Sequence, residues 1–222
     1  MKVSDLFSAE VEPVLNEWMR KFTSLNDLFL AMPQLYAKLK SQRIEGTIED
    51  GAVLSGPIHI GRGAVVHAQA IIHGPSIIGP DTVINSHTEI RSGFIGSKCV
   101  IGHSCSIIQS MVMNNINIGA GAFIRNSVIG SGSVVGPGAV LGPVEVERAS
   151  AASSHPSSTL GAALGDYAVV GANSTIKSGT VIGSRTIIGE GVLANGIYGS
   201  NQTVTLVSAL DIKPRHDHDI VS

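Results

Sequence analysis

The chain has 222 residues, a net charge of -2 and a sequence pI near 6.4, a balance that provides no cationic surface for nucleic acid or an anionic membrane. Its 26 glycines and 4% aromatics, beside 43% apolar residues, argue against a layered core built on Phe, Tyr and Trp. They favour narrow, repetitive β structure dominated by Ile and Val.

The opening residues, MKVSDLFSAEVEP, contain no apolar signal core, and no later run reaches the about 18 apolar residues of a membrane span. A soluble cytoplasmic chain is the expectation. Residues 5–42 carry helical spacing in Val11, Leu15, Trp18, Met19 and Phe22, then Leu25, Leu28, Phe29 and Met32, with Pro33 as a break. Residues 1–43 are therefore expected to form a helical cap over the open first coil of a repeat that begins at residue 44, shielding its unpaired strands.

From residue 44 an aliphatic residue recurs every six positions: Ile48, Leu54, Ile60, Val66, Ile72, Ile78, Ile84, Ile90. Four residues after most of them stands a small one, as at Ala52, Ala64, Ala70, Ser76, Thr82 and Thr88. Neither a helical period nor strand alternation fits this pattern. The series continues through Ile95, Ile101, Ile107, Val112, Ile118, Ile124, Ile129, Val135 and Leu141, with steps of five at 90→95, 107→112 and 124→129. Those short steps lie 17 residues apart, once in three hexads, so in a triangular coil they stack on one edge. The pattern predicts an all-β left-handed parallel β-helix over residues 44–200. Corner glycines able to adopt positive φ would make its turns feasible. With Leu164, Val170, Ile176, Ile182 and Ile188 there are 22 hexads, roughly seven coils each rising about 4.8 Å.

Cys99 and Cys105 fall on inward small positions and read as reduced core thiols. The glycine-rich IGAGAF at 118–123 could pass for a phosphate loop, but Ile124 stands where a dinucleotide fingerprint needs glycine. It is coil wall. Residues 143–160, PVEVERASAASSHPSSTL, break the repeat and read as a loop projecting from one edge. Residues 201–222 form a C-terminal tail, whose RHDHD (215–219) reads as disordered rather than as a metal site.

The stretch LGAALGDYAVVGANSTIKSGTVIG (160–183), GTIEDGAVLSGPIHIG (46–61) and the five-residue steps resemble the hexapeptide domain of bifunctional sugar-phosphate nucleotidylyltransferase/N-acetyltransferases over residues 44–196. Only about 45 residues precede the coils, too few for the nucleotidyl-transfer half. The resemblance thus implies acetyl transfer from acetyl-CoA to an amino-sugar phosphate, in a homotrimer. Set without gaps on NIGAGAFIRN (117–126), the family's K-x-x-H-L-x-Y-x-G-D motif puts Ala120 where the base belongs and Arg125-Asn126 where it has glycine-aspartate. The resemblance also makes Arg91 a sugar-phosphate ligand, with Arg125 making up for a lysine expected at Ile108.

Counting hexads in threes puts His67, His87 and His103 on one outward face, with His103 one coil from Ala120. His103 is the candidate base, and His155 on the edge loop its rival, carried over from a neighbouring subunit. His87 is a helper or contact residue. Arg91, Arg125 and Asn126 are candidates for the sugar phosphate, and Lys177 and Arg185 for the phosphates of CoA. Two other classes stay open. One is a catalytically degenerate scaffold or binding protein, suggested by Ala120, Phe123 and Ile108. The other is a zinc carbonic anhydrase, disfavoured because Ile108 follows His103 where that family resembles H-x-x-x-x-H; no metal is expected.

Overall fold

A computed structural model of the chain describes residue 39 and residues 41–142 and 161–206. The expected helical cap, the loop that carries His155, and the tail beyond 206 lie outside the described residues. Among those described, twenty-six short strands wind into a left-handed parallel β-helix whose three flat sides are sheets of nine, nine and eight strands, here faces A, B and C. No helix among them is long and apolar enough to cross a membrane.

Each strand is two or three residues long and pairs in parallel with the strand one turn on, as Ile95 with Val112 on face A, Ile101 with Ile118 on face B and Ile107 with Ile124 on face C. The periodic aliphatic residue points inward, and Ile72, Ile84, Ile90, Ile107 and Ile124 have no exposed surface. The small residue two positions before it is inward as well. Where it is Thr or Ser, its hydroxyl links neighbouring turns: Thr82 donates to the Gly96 carbonyl at 2.7 Å and accepts from the Cys99 N–H at 3.0 Å. These bonds satisfy the buried polar groups of a core only two side chains wide.

The coil has between eight and nine turns, more than the seven expected. Hexad counting misses the inward residues Ile44, Ala194, Tyr198 and Val204, which belong to the strands Arg43–Ile44, Leu193–Ala194, Ile197–Tyr198 and Thr203–Val204. Two of the steps involved, 44→48 and 194→198, are only four residues long, and Ala194 and Tyr198 are not branched aliphatics. The coil also passes the boundary expected at 200. In its first turn Ile44 is 43% exposed.

The three shortened steps all join face C to face A, and so does the excursion between Leu141 and Leu164. One edge, the C–A corner, thus takes up every irregularity in the middle of the coil. The glycines divide the turn chemistry differently from the expectation. The left-handed corner position is mostly filled by other residues, among them His87 (φ 61°), Asn173 (φ 55°) and Arg185 (φ 56°). A single left-handed residue costs only about 1–2 kcal/mol, which coil pairing offsets. Except for Gly142 (φ 107°), the glycines just after the inward aliphatic have no positive φ and serve another purpose: at Gly79 an added Cβ would lie 2.5–2.7 Å from the backbone of Gly96 and Ser97.

Both cysteines are free and buried. Desolvation pushes the Cys99 thiol up from 9.0 to about 11, and its Sγ donates to the Met113 carbonyl at 3.0 Å; Cys105 is raised by desolvation too. The native chain should therefore resist a thiol reagent at pH 8 that titrates both cysteines once it is unfolded. With the folded pKa above the unfolded one, the unfolded chain ionises first. The stabilisation is complete below pH 9 and disappears between pH 9 and about 11. Cys99 should lower stability by roughly 2 kcal/mol across that window, read from urea midpoints. A midpoint drop of the same size in Cys99→Ala would refute this assignment.

Candidate functional site

The outward residues that sequence singles out fall on two corners of the coil, Arg185 excepted. At the B–C corner, the Gly121 N–H donates to the His103 carbonyl at 2.8 Å, and the Ser104 N–H to that of Ser86 at 3.1 Å. Residues 86, 103 and 120 thus form one vertical column, and His103 lies one turn from Ala120 as expected. Both are exposed, and the His103 ring forms no hydrogen bond among the described residues. His87 occupies the left-handed position one step along. The three histidines do not converge, and His67 is already engaged: its Nδ1 lies 2.8 Å from the Glu49 carboxylate. That carboxylate also accepts the Ala68 N–H at 2.9 Å. Backbone donation from Ala68, then the bond to His67, holds the Glu49 carboxyl below its usual range.

The second group lies on the C–A corner, where each turn contributes the residue after the inward aliphatic. Register stacks Ser55, His73, Arg91, Ile108 and Arg125 in that order. Arg91 and Arg125 are thus two turns apart with Ile108 between them, about 10 Å at the spacing of paired strands. Arg91 is ion-paired to Glu89 on its own strand with its side chain 55% exposed, and Arg125 is half-buried. Below Arg91, the His73 Nδ1 meets the Ser55 hydroxyl at 2.6 Å. Above Arg125, Gly142 and then Lys177 continue the column, since the Gly142 N–H donates to the carbonyl of Ile176 at 3.0 Å.

The excursion is rooted on this same column. The Gly161 N–H donates to the Asn126 carbonyl at 2.6 Å. A Cβ on Gly142 or Gly161 would stand 2.2 or 2.3 Å from the Arg125 carbonyl. Asn126 is buried at 2% exposure with φ 50°, so its backbone anchors the returning chain. The segment bearing His155 therefore leaves from and returns to the Arg125–Asn126 corner.

Two sets of candidates are separated within one chain. His103 and the arginine column flank opposite sides of face C, roughly 15 Å apart along an extended strand, because five residues of chain separate His103 from Ile108. Lys177 and Arg185 flank opposite sides of face A. Arg185 lies at the A–B corner, where its N–H donates to the Asp166 carbonyl at 2.9 Å. What sequence reading overlooked is that Lys177 belongs to the arginine column, and that Ser55 and His73 extend it downwards at 18-residue spacing.

A family model for the left-handed β-helix domain of the epsilon subunit of eIF2B matches residues 55–148. No curated protein is similar enough in sequence to establish kinship. Among solved structures, a UDP-N-acetylglucosamine acyltransferase from Bacteroides fragilis is 17% identical with a TM-score of 0.51, over 70% of this chain and 68% of that one. A second such enzyme, from Francisella novicida, is 16% identical with a TM-score of 0.43, over 76% of this chain and 66% of its own. A GDP-perosamine N-acetyltransferase from Caulobacter crescentus, in complex with CoA and GDP-perosamine, is 16% identical with a TM-score of 0.32, over 80% and 72%. The chain thus spans about two thirds of the length of the first two. The likeness to the Bacteroides fragilis structure supports the coil and leaves the chemistry to the residues on it.

Proposed function

Because the chain is a hexapeptide-repeat left-handed β-helix, we propose that it is an acyl-CoA-dependent acyltransferase, N-acetylating an amino-sugar phosphate or related nucleotide-sugar precursor with acetyl-CoA as cosubstrate. The observation that carries this reading is the C–A column of Arg91, Arg125 and Lys177, with an 18-residue excursion (143–160) rooted on it. Guanidinium groups two turns apart suit the separated oxygens of a phosphorylated sugar. Loops that leave a rigid scaffold are the usual place for substrate contacts.

His103 cannot reach that column on its own chain. The working unit is therefore a cytoplasmic homotrimer in which the B–C corner of one copy faces the C–A corner of the next. In that arrangement the amine nitrogen attacks the thioester carbonyl, forming a C–N bond. His103 takes the proton from the nitrogen as the tetrahedral adduct collapses. The C–S bond breaks, and the CoA thiolate leaves to be protonated to the thiol. His155 is the alternative base.

A second reading, a scaffold or binding module without catalysis, draws on Ala120, exposed where the resemblance places the base. Calorimetric titration of the chain with acetyl-CoA separates the two. Acyl transfer predicts a micromolar dissociation constant, about -8 kcal/mol. No heat at millimolar cosubstrate would overturn the enzyme reading and leave the scaffold.

A further inference from the structure

The outer side of face A is covered in its middle turns, although Ile197 near its upper end is 78% exposed. Alternation along a strand turns the residues flanking an inward one out of the coil. On face B those outward residues are open: Val100, Val134 and Ile187 are 43%, 41% and 44% exposed. On face A, in the same middle turns, Met111, Met113, Val128 and Ala163 are outward by the same alternation and have no exposure at all. Met111, Val128 and Ala163 are direct register partners, one above another on three consecutive strands. Lower on the same face, Ile77 and Phe94 continue the column but stay half-open. They line a groove of ≈ 330 Å³ with His59, Gly79, Gly96 and Asn114.

We propose that face A is the docking surface for this chain's own N-terminal segment, residues 5–32, laid along the flank of the coil instead of over its open end. Three observations choose this occupant. The chain enters the coil through Arg43–Ile44, the first strand of face A, paired to His59–Ile60, and Leu39 just before it is already packed into the core at 8% exposure. Of the segments outside the described residues, only this one has a long apolar stripe, Val11, Leu15, Trp18, Phe22 and Leu25; residues 143–160 are rich in Ser, Ala and Pro, and the tail is charged. The inward Ile44, which a cap would bury, remains 43% exposed. Length also permits it. Met111 stands four strands above the first, about 19 Å at 4.8 Å a step. A helix of about 13 residues covers that distance, well within the chain available.

Trp18 is the chain's single tryptophan, so its fluorescence reports docking in the full-length protein. Its emission should be blue-shifted and shielded from acrylamide. Val128→Arg, which adds charge to the outside of face A, should move the emission to that of tryptophan in water and remove the shielding. Val100→Arg, the equivalent change on face B, should leave both as they were. Should Val128→Arg fail to fold, Leu15→Asp with oxidative footprinting serves instead: Met111 and Met113 should be protected from oxidation in the parent chain and lose that protection in the variant. Trp18 unmoved by Val128→Arg, or Met111 still protected in Leu15→Asp, would overturn the assignment and turn attention to residues 143–160.

Discussion

Replacing Gly119 with alanine should cost the coil upwards of about 3 kcal/mol, at or beyond the upper end of what overpacking usually costs, while alanine at Gly121 should cost about 1–2 kcal/mol. The two glycines are two residues apart in the same corner and are needed for unrelated reasons. Gly119 has no positive φ, but a Cβ on it would lie 2.4 Å from the Pro137 nitrogen and 2.8 Å from its Cα and Cδ. The turns cannot separate locally to admit it, because the Gly119 N–H is bonded to the Val135 carbonyl at 2.7 Å and the ring of Pro137 is rigid. Gly121 has open space on every side within 4 Å and a φ of +70°. Its substitution therefore meets only backbone strain, and Gly121→Asn should be close to neutral, since Asn115, Asn126, Asn173 and Asn201 already sit at φ 50–58°. Urea midpoints of the purified variants test the pair. Equal costs at 119 and 121 would mean that contact between turns does not limit the coil. If Gly119→Ala does not accumulate as folded protein while Gly121→Ala does, the ordering is confirmed by yield alone.

The same contrast explains what the sequence revealed. A period of six with a five-residue step in every third hexad is a property of one-dimensional spacing, and it carried over directly to three faces, with the short steps on one corner. Glycine looks identical in a sequence whether it is there for φ or for space, so the corner explanation absorbed Gly79, Gly102 and Gly119, which belong to the contact class. The ends of the coil were hidden by chemistry: Ala194 and Tyr198 fill inward positions without a branched aliphatic side chain. Lys177 escaped its column because the excursion breaks the 17-residue arithmetic between Gly142 and the next turn. Burial of Met111 and Val128 had no signal at all, since alternation makes them outward and only tertiary covering makes them core.

Removing the His103 imidazole should lower kcat for acetyl transfer by about 10² to 10⁴, the range for loss of a positioned general base, with KM for acetyl-CoA little changed. His103 is exposed in a turn, makes no side-chain hydrogen bond among the described residues, and supports the next turn only through its backbone carbonyl. His103→Ala should therefore keep the urea midpoint of the parent, and a loss of rate cannot be blamed on unfolding. The column geometry supplies a stronger check. Ala120 lies one turn away, about 4.8 Å, exposed and with no side chain beyond Cβ, so Ala120→His can carry an imidazole without displacing anything in the wall. If the resemblance places the base there for a reason of geometry, the double variant His103→Ala/Ala120→His should recover part of the lost rate, while Ala120→His in a His103→Ala/Arg125→Ala background should not, because the acceptor phosphate has lost its anchor. An undiminished rate in His103→Ala would move the base to the excursion and to His155. A chain that binds acetyl-CoA but shows no turnover with or without Ala120→His would leave the coil as a binding module.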